Sequence, residues 1–135
     1  MGKQYLNGVV YGEFSHHYSI SEKVIGKWVD NKPLYEKTKI LEFSDLTQSG
    51  IQYYAPISDS ANEVVRDVQG YAKSSSYGIC SLGCRNYETT SSANDYYWEF
   101  AQYGNNVSLI FAGYNASDIN VNEIVITYRY TKTTD

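Results

Sequence analysis

The sequence predicts an all-β fold: a single antiparallel β-sandwich or jelly-roll-like domain. Three observations carry that expectation. Tyrosine is in excess, with 15 Tyr against 4 Phe and 2 Trp, and Tyr, Val, Ile and Thr are the residues that strands favour. Short alternating runs recur between turn signals, roughly six to eight of them, as sandwiches and barrels require. No window holds apolar residues at the i, i+3, i+4, i+7 spacing of an amphipathic helix.

Taken in order, residues 1–17 read as a leading segment or the end of a preceding shaft, and 18–135 as the folded module. Lys23–Val29 reads as a strand, Asp30-Asn31-Lys32-Pro33 as a turn, and Leu34–Phe43 as the returning strand. Asn tolerates positive φ, and Pro is harmless at the first position of a strand. Residues 44–62 read as loop around the short stretch Ile51–Ala55. Val64–Ala72 fits a strand, or one helical turn leading into a strand. Ile79–Tyr87 reads as a further strand.

The last third alternates more clearly. Tyr96, Trp98 and Phe100 share one face, Gly104-Asn105-Asn106 turns the chain, and Val107, Leu109 and Phe111 share the next face, so the pair reads as a hairpin. After a loop over Gly113–Asn122, Ile124, Ile126, Tyr128 and Tyr130 line one face. Thr127, Arg129 and Thr131 line the other, the pattern of a half-buried antiparallel strand.

With 135 residues the chain makes one ordinary domain. Charged residues are 19%, below the roughly 25% of an average soluble protein. That fraction, with so many aromatics, excludes a disordered chain and a coiled coil. A net charge of −4 gives no broad attraction for nucleic acid or for an anionic membrane surface. No apolar run is long enough to span a bilayer, and Met1–Tyr5 lacks the apolar core of a secretory signal.

Catalytic patterns are missing: no Gly-rich phosphate loop, no Gly-x-Ser-x-Gly elbow, no zinc-protease His-Glu pair. Asp95 and Glu99 are candidates for glycoside hydrolysis by residue type only, and the simpler reading is a loop acid and a solvated strand acid. Cys80 and Cys84 read as two thiols, with a small-loop disulfide or half of a metal site as the alternatives. His16 and His17 are adjacent, and strand neighbours point to opposite faces, so they do not complete a metal site easily. Neither metal nor cofactor is expected. Asn106-Val-Ser and Asn115-Ala-Ser fit the glycosylation pattern, which is common by chance.

The aromatic clusters carry more. Tyr53-Tyr54 and Tyr96-Tyr97-Trp98 place rings on both faces of their strands. One face can feed a core; the other suits a partner or a sugar, whose apolar face stacks on a flat ring while polar tips bond its hydroxyls. Tyr53, Tyr54, Tyr96, Tyr97, Trp98 and Tyr103 are therefore the candidate glycan-binding set.

Residues 18–39 run Tyr18-Ser-Ile-Ser-Glu22, Val24-Ile25-Gly26-Lys27-Trp28, then Asp30-Asn31-Lys32-Pro33-Leu34-Tyr35-Glu36-Lys37-Thr38-Lys39, and the chain closes on Tyr130-Thr-Lys-Thr-Thr-Asp135. These two segments, in this order, resemble the distal module of phage and prophage tail-fibre and tail-spike proteins. Asn31 stands where that pattern has Gly. The resemblance implies a β-rich tip domain, homotrimeric, associated with other tail proteins in the virion and contacting a bacterial surface polysaccharide. It carries no catalytic residues. Apolar residues on both faces of Lys23–Thr38 fit a hairpin with core on one side and a subunit contact on the other. Val24, Trp28, Leu34, Tyr35, Tyr128 and Tyr130 are the candidate interface. The expected function is non-enzymatic receptor recognition; the alternatives are a structural trimerisation cap and, more remotely, a glycan depolymerase.

Overall fold

The computed structural model describes residues 5–6, 9–10, 18–75, 78–82, 85–86, 96–113 and 120–135. It is an all-β domain of two antiparallel sheets packed together. The strands are β1 (Tyr5–Leu6), β2 (Val9–Val10), β3 (Lys23–Lys27), β4 (Pro33–Leu41), β5 (Thr47–Ser49), β6 (Gln52–Pro56), β7 (Glu63–Ser74), β8 (Gly78–Ser81), β9 (Arg85–Asn86), β10 (Tyr96–Tyr103), β11 (Asn106–Gly113) and β12 (Val121–Lys132). One sheet runs β3-β4-β12-β7-β8, the other β5-β6-β11-β10-β9, and β1 and β2 pair separately. The chain crosses between the sheets after β4, β6, β8 and β11. The C-terminal strand is thereby set at the centre of the first sheet, between β4 and β7.

The turns follow their residues. Asn31 adopts φ 69° in the β3–β4 turn, and Gly104 φ 62° between β10 and β11. Both are left-handed conformations that Asn and Gly tolerate. Trp28 N and Lys32 O close the first turn at 2.9 Å, with Lys32 N donating to Asp30 Oδ1 at 3.1 Å.

Three expectations change. Residues 44–62 are not simply loop: after a 3-10 turn at Phe43–Asp45 they form the β5–β6 hairpin. Its cause is the alternation Gln52-Tyr53-Tyr54-Ala55-Pro56, in which Tyr53 and Ala55 are buried and their neighbours are exposed. Val64–Ala72 holds no helical turn and lies within a continuous strand. Ile79–Tyr87 divides between the sheets, β8 pairing with β7 and β9 with β10.

The core forms between the sheets. β10 and β11 contribute Trp98, Val107, Leu109 and Phe111; β12 contributes Ile124, Ile126, Tyr128 and Tyr130. Trp98 and Phe111 are cross-strand partners with stacked rings, centroids 3.9 Å apart and planes 2° from parallel. Such a pair adds about 0.5–1.5 kcal/mol beyond its buried area. The predicted core face of β12 is fully buried. Its central place also buries Thr127 and Thr131 on the opposite face, so the strand is more than half-buried.

Candidate functional site

Because Ile124 and Ile126 turn into the core, Glu123, Val125 and Thr127 turn to the other face of the sheet. Antiparallel register aligns that face into cross-strand rows. Ile40, Val125 and Tyr71 form one row, and Thr38, Thr127 and Gln69 the next. Glu36, Arg129 and Asp67 form a third row, and on the other side Glu123 pairs with Lys73. Strands lie about 4.8 Å apart and same-face residues along a strand about 6.7 Å apart. An apolar strip thus lies between a hydroxyl-amide row and a carboxylate.

A cavity of about 710 Å³ opens over these rows, within the roughly 300–1,000 Å³ typical of ligand pockets. Tyr18, Ser19 and Ile20 form one wall, held where Thr38 N donates to Ser19 O at 2.8 Å. Leu82 lines the opposite side, its backbone N donating to Gly70 O at 3.0 Å. Gly70 is required there: a Cβ would sit 2.4 Å from Val125 O and 2.9 Å from Leu82 Cδ1. Phe100 of β10 also reaches the cavity.

Thr38 and Thr127 are buried, and their hydroxyls bond each other at 2.9 Å. One proton serves that bond, leaving one O–H and free lone pairs for a ligand. Gln69, Tyr71 and Glu123 hold no side-chain hydrogen bond or ion pair among the described residues. Beyond the threonine row, Glu36 is fully buried and takes Arg129 Nε at 3.0 Å, with Lys23 Nζ at 3.8 Å. That cation is committed within the fold. The groove offers apolar contact flanked by hydroxyl, amide and carboxylate groups, a surface suited to a polyhydroxylated ligand.

A second polar cluster is saturated and reads as structural. Asp59 takes Lys37 Nζ and Lys39 Nζ, each at 2.6 Å. Burial alone would raise its pKa, but the two lysines outweigh burial and hold the carboxyl below its ordinary value. Tyr128 donates to Glu63 at 3.0 Å; burial, then the Glu63 charge, pushes its pKa up. Tyr130 donates to Glu22, which also takes Lys132 Nζ at 2.9 Å. Glu22 is held low because these two donors outweigh its burial. Burial, then the Glu22 contact, raises Tyr130. Tyr128 stacks on Tyr130 at 4.9 Å, Tyr130 on Tyr35 at 5.6 Å, and Lys132 lies 4.3 Å over the Tyr35 ring.

The predicted residues fall in several places. Tyr53 and Trp98 are core residues, Tyr53 packed on Phe43 with centroids 4.7 Å apart, and burial removes both from a ligand surface. Tyr54 is 41% exposed, on the outer face of the other sheet beside Ile110 and Thr47. The strand positions of Tyr96, Tyr97 and Tyr103 are set, but their side chains lie outside the described residues, as do Asp95, Cys84, His16 and His17. Tyr128 and Tyr130 are fully buried within this chain, so they pack its own core instead of a subunit contact. Val24 is 60% exposed, whereas Trp28 is half-buried under Arg66, whose guanidinium lies 5.2 Å from the ring centroid. Leu34 and Tyr35 are half-buried.

The groove residues Tyr18, Gln69, Tyr71 and Glu123 were not in the predicted set. For Gln69 and Tyr71 the signal was the alternation Val68-Gln69-Gly70-Tyr71-Ala72, which separates a small apolar face from a polar aromatic one. Among the described residues no three His, Cys, Asp or Glu side chains converge to hold a metal ion, and no helix is long and apolar enough to cross a membrane. No protein-family model, no curated protein and no solved structure matches the chain.

Proposed function

We propose that this chain is a non-enzymatic receptor-recognition module of a phage tail fibre, binding a bacterial surface glycan through the β4–β12–β7 groove. One observation carries the glycan assignment: the apolar strip of Ile40, Val125 and Tyr71, flanked by the Thr38–Thr127–Gln69 row and by Glu123, all opening into one cavity. The virion context rests on the Tyr18–Lys39 and C-terminal segments. In that context the module works as a homotrimer alongside other tail proteins. Adsorption competition tests the reading: purified chain should block phage adsorption to sensitive cells in a dose-dependent way, and Tyr71→Ala should lose the blocking.

A second reading is favoured by a separate observation. Val29 is 92% exposed at the β3–β4 turn and Val24 is 60% exposed on the edge strand β3, an edge suited to a structural cap on a trimeric fibre. A cap without receptor contact leaves adsorption unblocked at any concentration.

A further inference from the structure

We infer that the groove discriminates by charge, accepting neutral glycans and rejecting anionic ones; this rests on the glycan reading of the same site. Among the described lining residues the only group charged at neutral pH is Glu123. A carboxylate is acceptor-only, so it matches a ligand that brings hydroxyl or amide donors and opposes one that brings its own carboxylate, sulfate or phosphate. Recognition of an anionic polymer calls for cations aimed into the site. The two cations in the cross-strand rows of this face are otherwise engaged or displaced. Arg129 is bonded to buried Glu36 one row away, and Lys73, the cross-strand partner of Glu123, is exposed and does not line the cavity. The other polar lining side chains, such as Thr38, Thr127, Gln69, Ser19 and Ser81, carry no charge. A chain charge of −4 adds to the rejection at long range.

The experiment is a printed panel of neutral oligosaccharides paired with sulfated or uronic-acid counterparts of the same backbones, probed with the full chain and with Glu123→Gln, Glu123→Lys and Tyr71→Ala. Circular dichroism confirms that each variant is folded. The expected result is binding confined to neutral members, lost in Tyr71→Ala. Glu123→Lys should raise the signal on anionic members by about tenfold. Glu123→Gln should weaken neutral binding, because an acceptor for the ligand's donors is lost, while narrowing the gap between the two classes. Wild-type binding to anionic members equal to or above the neutral ones, and abolished by Tyr71→Ala, overturns the charge inference while leaving the glycan reading intact. Binding to no member overturns both.

Discussion

At the residue scale, the groove depends on small and hydroxylated side chains as much as on aromatic ones. Gly70 lets β7 approach β12 while Leu82 lies over the gap. Gly70→Ala should destabilise the domain by about 1–3 kcal/mol, the cost of forcing a methyl into an occupied space, read as a lower midpoint in urea. Thr127→Val removes half of the buried hydroxyl pair and leaves Thr38 without its partner. That should cost about 1–2 kcal/mol, and Thr38→Val/Thr127→Val together should cost less than the sum of the two single changes. The sequence showed Thr127 as an outward strand residue. It could not show that Thr38, 89 residues earlier, would be its partner. Cross-strand pairing between distant segments is set by packing, not by local alternation.

At the element scale, β12 organises the molecule. Its inward face was legible because Ile124, Ile126, Tyr128 and Tyr130 recur at every second position, with Thr127, Arg129 and Thr131 on the other face. The burial of its other face was not, since that follows from β4 and β7 flanking it on both sides. The same gap explains the two tyrosines read as interface: a Tyr at a strand end looks amphipathic until Glu63 and Glu22 arrive from elsewhere to take its hydroxyl. Trp98, read as a binding ring, was instead claimed by Phe111 across the β10–β11 hairpin. Trp98→Ala should cost about 3–5 kcal/mol, with unfolding monitored by circular dichroism because one of the two tryptophans is lost. The ionic contacts between elements set the pH response. Glu22 and Asp59 have lowered folded-state pKa values, so the unfolded chain protonates first as pH falls. Their stabilisation is present above the ordinary carboxylate range of about 4 and is lost as pH drops through the lower folded values. Tyr128 and Tyr130 are raised, so their contribution holds below about pH 10 and fades as pH rises and the unfolded tyrosines ionise. A stability profile from pH 2 to 11 should be flat in the middle and fall at both ends, with Asp59→Asn shallower on the acid limb.

At the scale of the whole molecule, two surfaces compete for importance: the groove on one sheet, and the exposed Val24 and Val29 edge beside it. A trimer formed through that edge gives a light-scattering mass three times that of the chain, and Val24→Asp/Val29→Asp should return it to monomer with the fold intact. A wild-type monomer at micromolar concentration would remove the edge as an interface while leaving the groove available. The all-β class was readable from composition and alternation, because both are local. Strand order was not, because the chain changes sheets after β4, β6, β8 and β11, and the groove exists only where three strands from those separate passages come side by side.

Recognition through the groove is tested by comparing Tyr71 with Tyr54, a half-buried groove tyrosine and an exposed one on the opposite sheet. Titrating fluorescently labelled chain onto sensitive cells should show binding weakened about tenfold or more by Tyr71→Ala, with Tyr54→Ala indistinguishable from wild type. Unchanged binding in a folded Tyr71→Ala variant, or loss in Tyr54→Ala, would contradict the account and move recognition away from the groove.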